Sequence, residues 1–379
     1  MRVIRKEMKL SDYLIKCLEE AGVKDVFLLT GGGMMHLLNS MAHSSIHPYY
    51  NLNEQASTIA ADGYAQYKNE LSFAMLTTGP GATNGITGVV SAFQDSTPMF
   101  VLSGQVKTAD FADLRGTRSF GAQEVQIVPM VKSVTKYAQT IRNEKDARYI
   151  MEKAIYMATH GRRGPVWVDV PLDIQAKDIN PEALKGFDPE AEGLVDHRKV
   201  SQEQVEKFYK LLNEAKRPAF LFGHGVIAAH AQAGAKELAS RLHVPVLSTW
   251  RAKELYFEEE DGFFGFPGSQ APRHSNFILQ STDLLVVVGS KLDWSLTAFD
   301  DPAFAPRAKK IVVDIDPCEI TKLTQMDIEE SVDVDAAEFF DAMLNGIVLY
   351  NPQDTKKWWD HCNGLKHKYP IVNERLPDQ

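Results

Sequence analysis

Short apolar runs alternate with stretches of helical period along most of this 379-residue chain. Ser11 to Gly22 reads as an amphipathic helix ended by glycine. Val26-Phe27-Leu28-Leu29-Thr30 follows as a buried strand and runs into Gly31-Gly32-Gly33, after which a helical pattern extends from Met34 to Met41. The same layout returns at Phe73 to Thr78, followed by Gly79-Pro80-Gly81-Ala82-Thr83-Asn84 and a small, apolar segment from Gly85 to Ala92. Met99 to Gly104 and Pro165 to Val170 are a third and a fourth strand of this kind. Strands alternating with helices predict βαβ units and a mainly parallel sheet. Ligands of such sheets bind beyond the carboxyl ends of the strands, where these glycine turns lie.

Between the first two strands a helix is predicted from Asn53 onward. Apolar or small residues recur at Ala56, Ile59, Ala60, Gly63, Tyr64 and Tyr67, the spacing of one helical face, which predicts that this face is buried. Asn53 is placed to cap the helix, with Glu54 in the first turn and the extended stretch Pro48 to Leu52 before it. A carboxylate there has two readings. It is either ordinary N-terminal helix chemistry or a functional group where an extended segment enters a helix.

From Pro171 to about Val200 the periodicity dissolves into prolines, acids and turn formers, a candidate linker. A second α/β unit begins near Ser201. Its strand Pro218 to Phe222 leads into Gly223-His224-Gly225-Val226-Ile227-Ala228, which fits the G-x-G-x-x-A pattern of dinucleotide turns. No acidic residue closes the next strand, Val244 to Leu247, so a purely structural turn stays open as the other reading. Further strands at Leu284 to Gly289 and Lys310 to Asp316 carry the unit to about Tyr350. The stretch after it, with Trp358 and Trp359 in a short helical patch, reads as a second connector. The expected fold is therefore α/β, with two doubly wound, mainly parallel-sheet domains. Their expected extents are 1–175 and 201–350, with a linker at 176–200 and a connector at 351–379.

Composition changes this picture little. Hydrophobic residues make up 44% and charged residues 24% of the chain, an ordinary globular balance. A net charge of −9 argues against a nucleic-acid partner, which needs a basic surface. No run approaches the roughly 18 apolar residues of a membrane span, and Met1 to Leu10 lacks the apolar core of a secretory signal. The 3 cysteines are scattered, which predicts neither a disulfide framework nor a metal cluster. The expectation is a cytoplasmic protein without membrane or nucleic-acid partners.

Taken together, the motifs resemble the thiamine diphosphate-dependent 2-oxo acid enzymes, most closely the acetolactate synthase branch. The resemblance is carried by Gly31-Gly32-Gly33, Asn53-Glu54-Gln55-Ala56, Ala60-Ala61-Asp62-Gly63-Tyr64-Ala65, Thr78 to Asn84, Asp95-Ser96-Thr97-Pro98-Met99, Gln123-Glu124 and Gly164 to Gln175. It continues in the second unit with Phe304 to Ala308 and Asp314-Ile315-Asp316-Pro317. The resemblance implies that Glu54 hydrogen-bonds the aminopyrimidine ring of the cofactor and favours its imino tautomer. Gly32, Thr78, Gly79, Pro80 and Asn84 would shape the pyrimidine pocket, and Gln123 would project toward the reacting centre. For Glu54 to hold a proton near neutrality, burial must outweigh the helix dipole. Ala56, Ile59 and Ala60 are expected to supply that burial.

The resemblance also implies a third domain that holds the diphosphate through Mg²⁺ with a Gly-Asp-Gly stretch, and no Gly-Asp-Gly occurs in this sequence. The chain is therefore expected to be the N-terminal part of a longer decarboxylase or carboligase, inactive by itself. Alternatives are a subunit that needs a separate diphosphate-binding chain, and a nucleotide-binding regulatory protein. Leu29-Thr30 before the glycines and Gly289-Ser290-Lys291-Leu292-Asp293-Trp294 depart from the acetolactate synthase pattern and count against acetolactate synthase activity proper and against FAD, so that FAD or another nucleotide is an expectation resting on the Gly223-His224-Gly225 turn alone. The implied substrate is a small 2-oxo acid. The implied assembly is a homodimer or homotetramer with the active site between subunits.

Overall fold

A computed structural model describes residues 7–352 and 354–371. The chain divides into two compact units, Met1–Asp196 and His197–Gln379. In the first, a six-stranded parallel sheet is built from β2 (Asp25–Leu28), β3 (His47–Tyr50), β4 (Ser72–Leu76), β5 (Met99–Gln105), β6 (Tyr137–Thr140) and β7 (Val166–Pro171), in the order β3-β2-β4-β5-β7-β6. The apolar runs are continuous because both faces are covered. Phe73, Met75, Phe100, Leu102 and Val168 pack into one core layer, and Ala74, Leu76, Val101 and Trp167 into the other. The chain leaves β2 toward β3 on one side and then crosses back to β4 on the other. The switch point of the sheet therefore lies between β2 and β4, with a glycine turn on each.

In the second unit, β9 (Pro218–Phe222), β10 (Val246–Ser248), β11 (Leu284–Val288), β12 (Lys309–Val313) and β13 (Glu330–Val332) form a parallel five-stranded sheet in the order β10-β9-β11-β12-β13. It too is doubly wound, with Phe220, Phe222, Val286 and Val288 on one face and Leu221, Leu285 and Val287 on the other.

Both expected connectors are packed to a degree that the sequence pattern did not reveal. In the stretch 176–200, β8 (Asp178–Ile179) pairs antiparallel with β1 (Met8–Lys9). Further on, Phe187 stacks edge-on against Tyr149 and donates its N–H to Glu152 Oε2 at 2.7 Å. Glu192 pairs with Lys153 at 2.6 Å. Side chains of the helix Ala147–Thr159 thus hold an irregular segment that has no periodicity to read. In the stretch 351–379, Lys356–Lys368 is a helix whose Trp358, 4% exposed, and Cys362, fully buried, close one face of the second core. The Trp358 indole donates to Pro218 O at 2.9 Å. Residues 353 and 372–379 of that connector lie outside the described residues.

Candidate active site

The site is assembled where the glycine turns meet the start of a helix. The helices of this region are α1 (Leu10–Glu20), α2 (Met35–Ala42), α3 (Glu54–Lys68), α4 (Pro80–Asn84) and α5 (Ile86–Gln94). Asn53 caps α3 as expected, its side chain accepting from Gln55 N at 2.8 Å and Ala56 N at 3.3 Å. This puts Glu54 at the first helical position, half-buried. Asn84 donates its side-chain N–H to Glu54 Oε2 at 2.9 Å. Oε1 has no hydrogen-bond partner among the described residues and faces the Cα of Gly81. A Cβ built on Gly81 would lie 3.0 Å from that oxygen and 2.6 Å from Thr77 Cγ2. Gly81 therefore leaves the carboxylate an open side.

Thr77 and Thr78 tie the turn after β2 to this group. A Cβ at Gly31 would fall 2.3 Å from the Thr77 side chain, and one at Gly33 would fall 3.0 Å from that of Thr78. Gly33 N donates to Thr77 Oγ1 at 3.3 Å, and Gln175 Nε2 donates to Gly33 O at 2.8 Å. Gly32 is different. Nothing lies within 4 Å of a Cβ built there, so packing does not require a glycine. Gly79 has φ +62°, and a Cβ on it would stand 1.9 Å from the carbonyl oxygen of Gln123, itself left-handed at φ +61°. The structure thus brings Gln123 to the site through its main chain. Pro80 occupies the first position of α4, where its missing N–H is harmless. Thr78 is buried and donates its hydroxyl to Gln105 Oε1 at 2.9 Å.

Two expectations are corrected here. Of the expected face of α3, Ala56, Ile59, Gly63 and Tyr67 are exposed, Ile59 to 49% and Tyr67 to 84%, while Ala60 and Tyr64 are half-buried. The buried face is Ser57, Thr58, Ala61, Asp62 and Ala65. It lies so close to α5 that a Cβ on Gly88 would come 2.5 Å from Thr58 Oγ1. Its polar groups are satisfied across that contact, by Thr58 Oγ1 donating to Gly85 O at 2.9 Å and Ser91 Oγ donating to Asp62 Oδ2 at 2.7 Å. Ala56 and Ile59 consequently do not enclose Glu54, and the burial expected from them is not supplied within this chain.

Several residues of the site were not singled out from sequence. Gln105 and Asp169 lie beneath Thr78, and Glu124 closes the loop ahead of it by accepting from Ala112 N at 2.7 Å and Phe120 N at 2.9 Å. Glu124 and Asp169 stood inside quoted motifs. Only their buried, multiply bonded carboxylates mark them as more than neighbours. Burial pushes the Asp169 carboxyl up to about 6, against hydrogen bonds from Ser103, Gln105 and Thr140.

The dinucleotide-like turn of the second unit has another explanation. Cβ atoms on Gly223 and Gly225 would lie 2.1 Å from Gly289 O and 2.6 Å from Gly289 Cα. Gly225 N also donates to Gly289 O at 2.9 Å. The glycines are demanded by the neighbouring βα turn. Among the described residues no group of three or more His, Cys, Asp or Glu side chains is placed to hold a metal ion, and no helix is long and apolar enough to cross a membrane.

Comparison with known proteins agrees with this geometry. Residues 8–149 match the family described as thiamine pyrophosphate enzyme, N-terminal TPP binding domain, and residues 205–343 match the thiamine pyrophosphate enzyme central domain. The acetolactate synthase large subunit of Cyanidium caldarium is 31% identical over 94% of this chain and 61% of its own length. That of Corynebacterium glutamicum is 33% identical over 96% of this chain and 57% of its own. A probable acetolactate synthase large subunit of Methanocaldococcus jannaschii is 32% identical, covering 95% of this chain and 59% of its own. The chain thus spans about 60% of the length of these relatives.

Proposed function

We propose, because the chain belongs to the thiamine pyrophosphate enzyme family and is acetolactate synthase-like, that the complete protein decarboxylates a 2-oxo acid and transfers the resulting acyl carbanion equivalent to an acceptor. The observation that carries this reading is the Glu54 carboxylate with one oxygen held by Asn84 and the other open beside Gly81. Such a group fits the aminopyrimidine of thiamine diphosphate, which asks for one carboxyl oxygen at a ring nitrogen. When bound, the cofactor supplies the nucleophilic carbon and the electron sink of the decarboxylation.

The chain's own residues then have separable tasks. Glu54 Oε1 holds or shares a proton with the ring, and Asn84 fixes the rotation of the carboxylate that presents it. The Gly79–Gln123 contact and the bare Cα atoms of Gly32 and Gly81 let main chain approach the ring closely. The diphosphate end and Mg²⁺ are assigned to the part of the relatives' length that this chain does not span, as the resemblance implies. FAD finds no support in the Gly223-Gly225 turn, whose glycines are explained by Gly289, and no step is routed through it. The nucleotide-regulator alternative is disfavoured on the same ground.

A second copy of the chain is the partner we assign to the exposed side of α3, where Leu52 at 98% exposure joins Ile59 and Tyr67 beside Glu54. Burial of that face would enclose the carboxylate that α3 leaves half open. The proposed assembly is a homodimer or homotetramer acting in the cytoplasm. Titration of the complete enzyme with thiamine diphosphate and Mg²⁺, followed by a screen of 2-oxo acids, tests the proposal. Metal-dependent binding with turnover of a 2-oxo acid is expected, and an absence of binding by the complete enzyme overturns it.

A further inference from the structure

Beneath the proposed pyrimidine site lies a chain of buried polar groups that its chemistry does not use directly. Asp169 on β7 is 1% exposed and has no cation within its hydrogen-bonding shell. Its Oδ1 accepts from Ser103 Oγ at 2.6 Å. Oδ2 accepts from Gln105 Nε2 at 3.1 Å and from Thr140 Oγ1 at 3.2 Å. Ser103 Oγ in turn accepts from the Trp167 indole N–H at 2.8 Å, so the serine's own proton is committed to Asp169. Gln105 is saturated in the same way. Its Oε1 accepts from Thr78 Oγ1 at 2.9 Å and Val106 N at 3.0 Å, while its Nε2 donates to Val125 O at 2.8 Å and to Asp169. A main-chain donor on one side and a main-chain acceptor on the other fix which way round the amide sits.

We infer that Asp169, acting through Gln105, is a positioning residue that sets both lips of the site at once, the 77–79 turn through Thr78 and the 123–125 segment through Val125. The inference rests on the proposed function only for the identity of what those lips hold. Its physical content is that three donors converge on Asp169, an arrangement that suits the ionised carboxylate, which accepts only. A proton on Oδ2, which already accepts two hydrogen bonds, would have to displace a donor, Gln105 or Thr140. Oδ1 accepts from Ser103 alone and keeps a second acceptor site, so a proton there displaces no donor but removes the charge that strengthens all three bonds. Desolvation favours protonation, the three donors and Arg142 beyond the end of β6 oppose it, and the balance leaves the group titrating at about 6. Arg142 is itself engaged with Asp113 at 2.8 Å and lies over the Phe111 ring. The organisation of the two lips is thereby coupled to the charge of a single buried carboxylate.

The test is an NMR titration of this chain from pH 5 to 8, with ¹⁵N in the glutamine side-chain amides and in the threonine and valine main chain. Signals of the Gln105 carboxamide, Thr78 N–H and Val125 N–H are expected to move together with one midpoint near pH 6. Asp169→Asn should remove that midpoint from all three. Ser103→Ala, which deletes one donor, should raise it, and this variant decides the matter if Asp169→Asn does not fold. The inference is overturned if Thr78 and Val125 stay still while Gln105 titrates, if no common midpoint appears, or if neither variant alters it. The readout needs no cofactor. A coupled titration in this chain combined with no thiamine diphosphate binding by the complete enzyme would overturn the functional reading and leave this inference standing.

Discussion

The two units carry glycine turns that look alike in sequence and serve opposite ends. After β4, Gly79 and Gly81 bring main chain against Gln123 and a half-open carboxylate, and the space they leave on the Gly81 side stays beside Glu54 Oε1. After β9, Gly223 and Gly225 are filled from across the sheet by the turn at Gly289. Both turns follow a buried parallel strand and both precede a helix. What separates them is the neighbour. In the first unit α3 delivers a side chain with an unpaired acceptor to the turn. In the second the adjacent strand delivers another backbone turn, which closes the gap. A glycine pattern therefore reports close approach, and only the approaching group tells whether a ligand is involved.

The difference can be broken most forcefully at Glu54. Glu54→Gln keeps an acceptor for Asn84 but cannot give up a proton, and turnover of the complete enzyme should fall roughly 10²- to 10⁴-fold with an unchanged melting temperature. Activity within about tenfold of the parent would sink the assignment.

The buried carboxylate beneath the turn comes next. Because the folded state raises the Asp169 pKa to about 6, the folded chain binds more protons than the unfolded one between the ordinary aspartate range and that value. Asp169 therefore favours the fold at low pH and loses that contribution as pH rises through about 6. Relative to the parent, Asp169→Asn should gain stability from pH 4 to pH 6.5 by up to about 3 kcal/mol, then level off. Urea unfolding at several pH values measures this, and a difference that does not vary with pH contradicts it.

The glycines themselves give a paired test. Gly79→Ala places a Cβ against Gln123 O in a left-handed conformation and should destabilise its unit by roughly 1–3 kcal/mol while weakening cofactor binding at least tenfold. Gly225→Ala meets Gly289 and should destabilise by a similar amount, roughly 1–3 kcal/mol, with cofactor affinity within about twofold. Equal losses of affinity in both would erase the contrast between the turns. The smallest effect is expected at Gly32, where a Cβ meets nothing. Gly32→Ala should leave stability within about 0.5 kcal/mol, so any loss of cofactor affinity there reports the ligand alone.

Much of this was legible in the chain. The apolar runs marked the central parallel strands because strands covered on both faces need no polar alternation, whereas β6 and β13 at the sheet edges carry no such run and were not read. The Asn53 cap was readable because an Asx side chain at a helix start has one local use. The motif set identified the family and pointed to Glu54 and Asn84, which the fold joins by a hydrogen bond of 2.9 Å. The face of α3 was misread for a physical reason. Apolar spacing marks the buried face only when burial is by large side chains, and α3 meets α5 almost backbone to backbone through Gly88, Thr58 and Asp62. Ile59 and Tyr67 are left outside, while Tyr64 reaches back to pack edge-on against Phe27.

Local sequence thus determined the apolar strands, the glycine turns, the cap and the place of Glu54 at the start of α3, all of which depend on residues within a few positions of one another. Tertiary structure alone decided that Asn84 holds Glu54 across 30 residues, that Gln105 and Asp169 join across 64, and that Gly289 fills the second glycine turn. Those pairings depend on which strands lie side by side, and a parallel sheet brings its carboxyl ends together in an order that no single stretch of the chain contains.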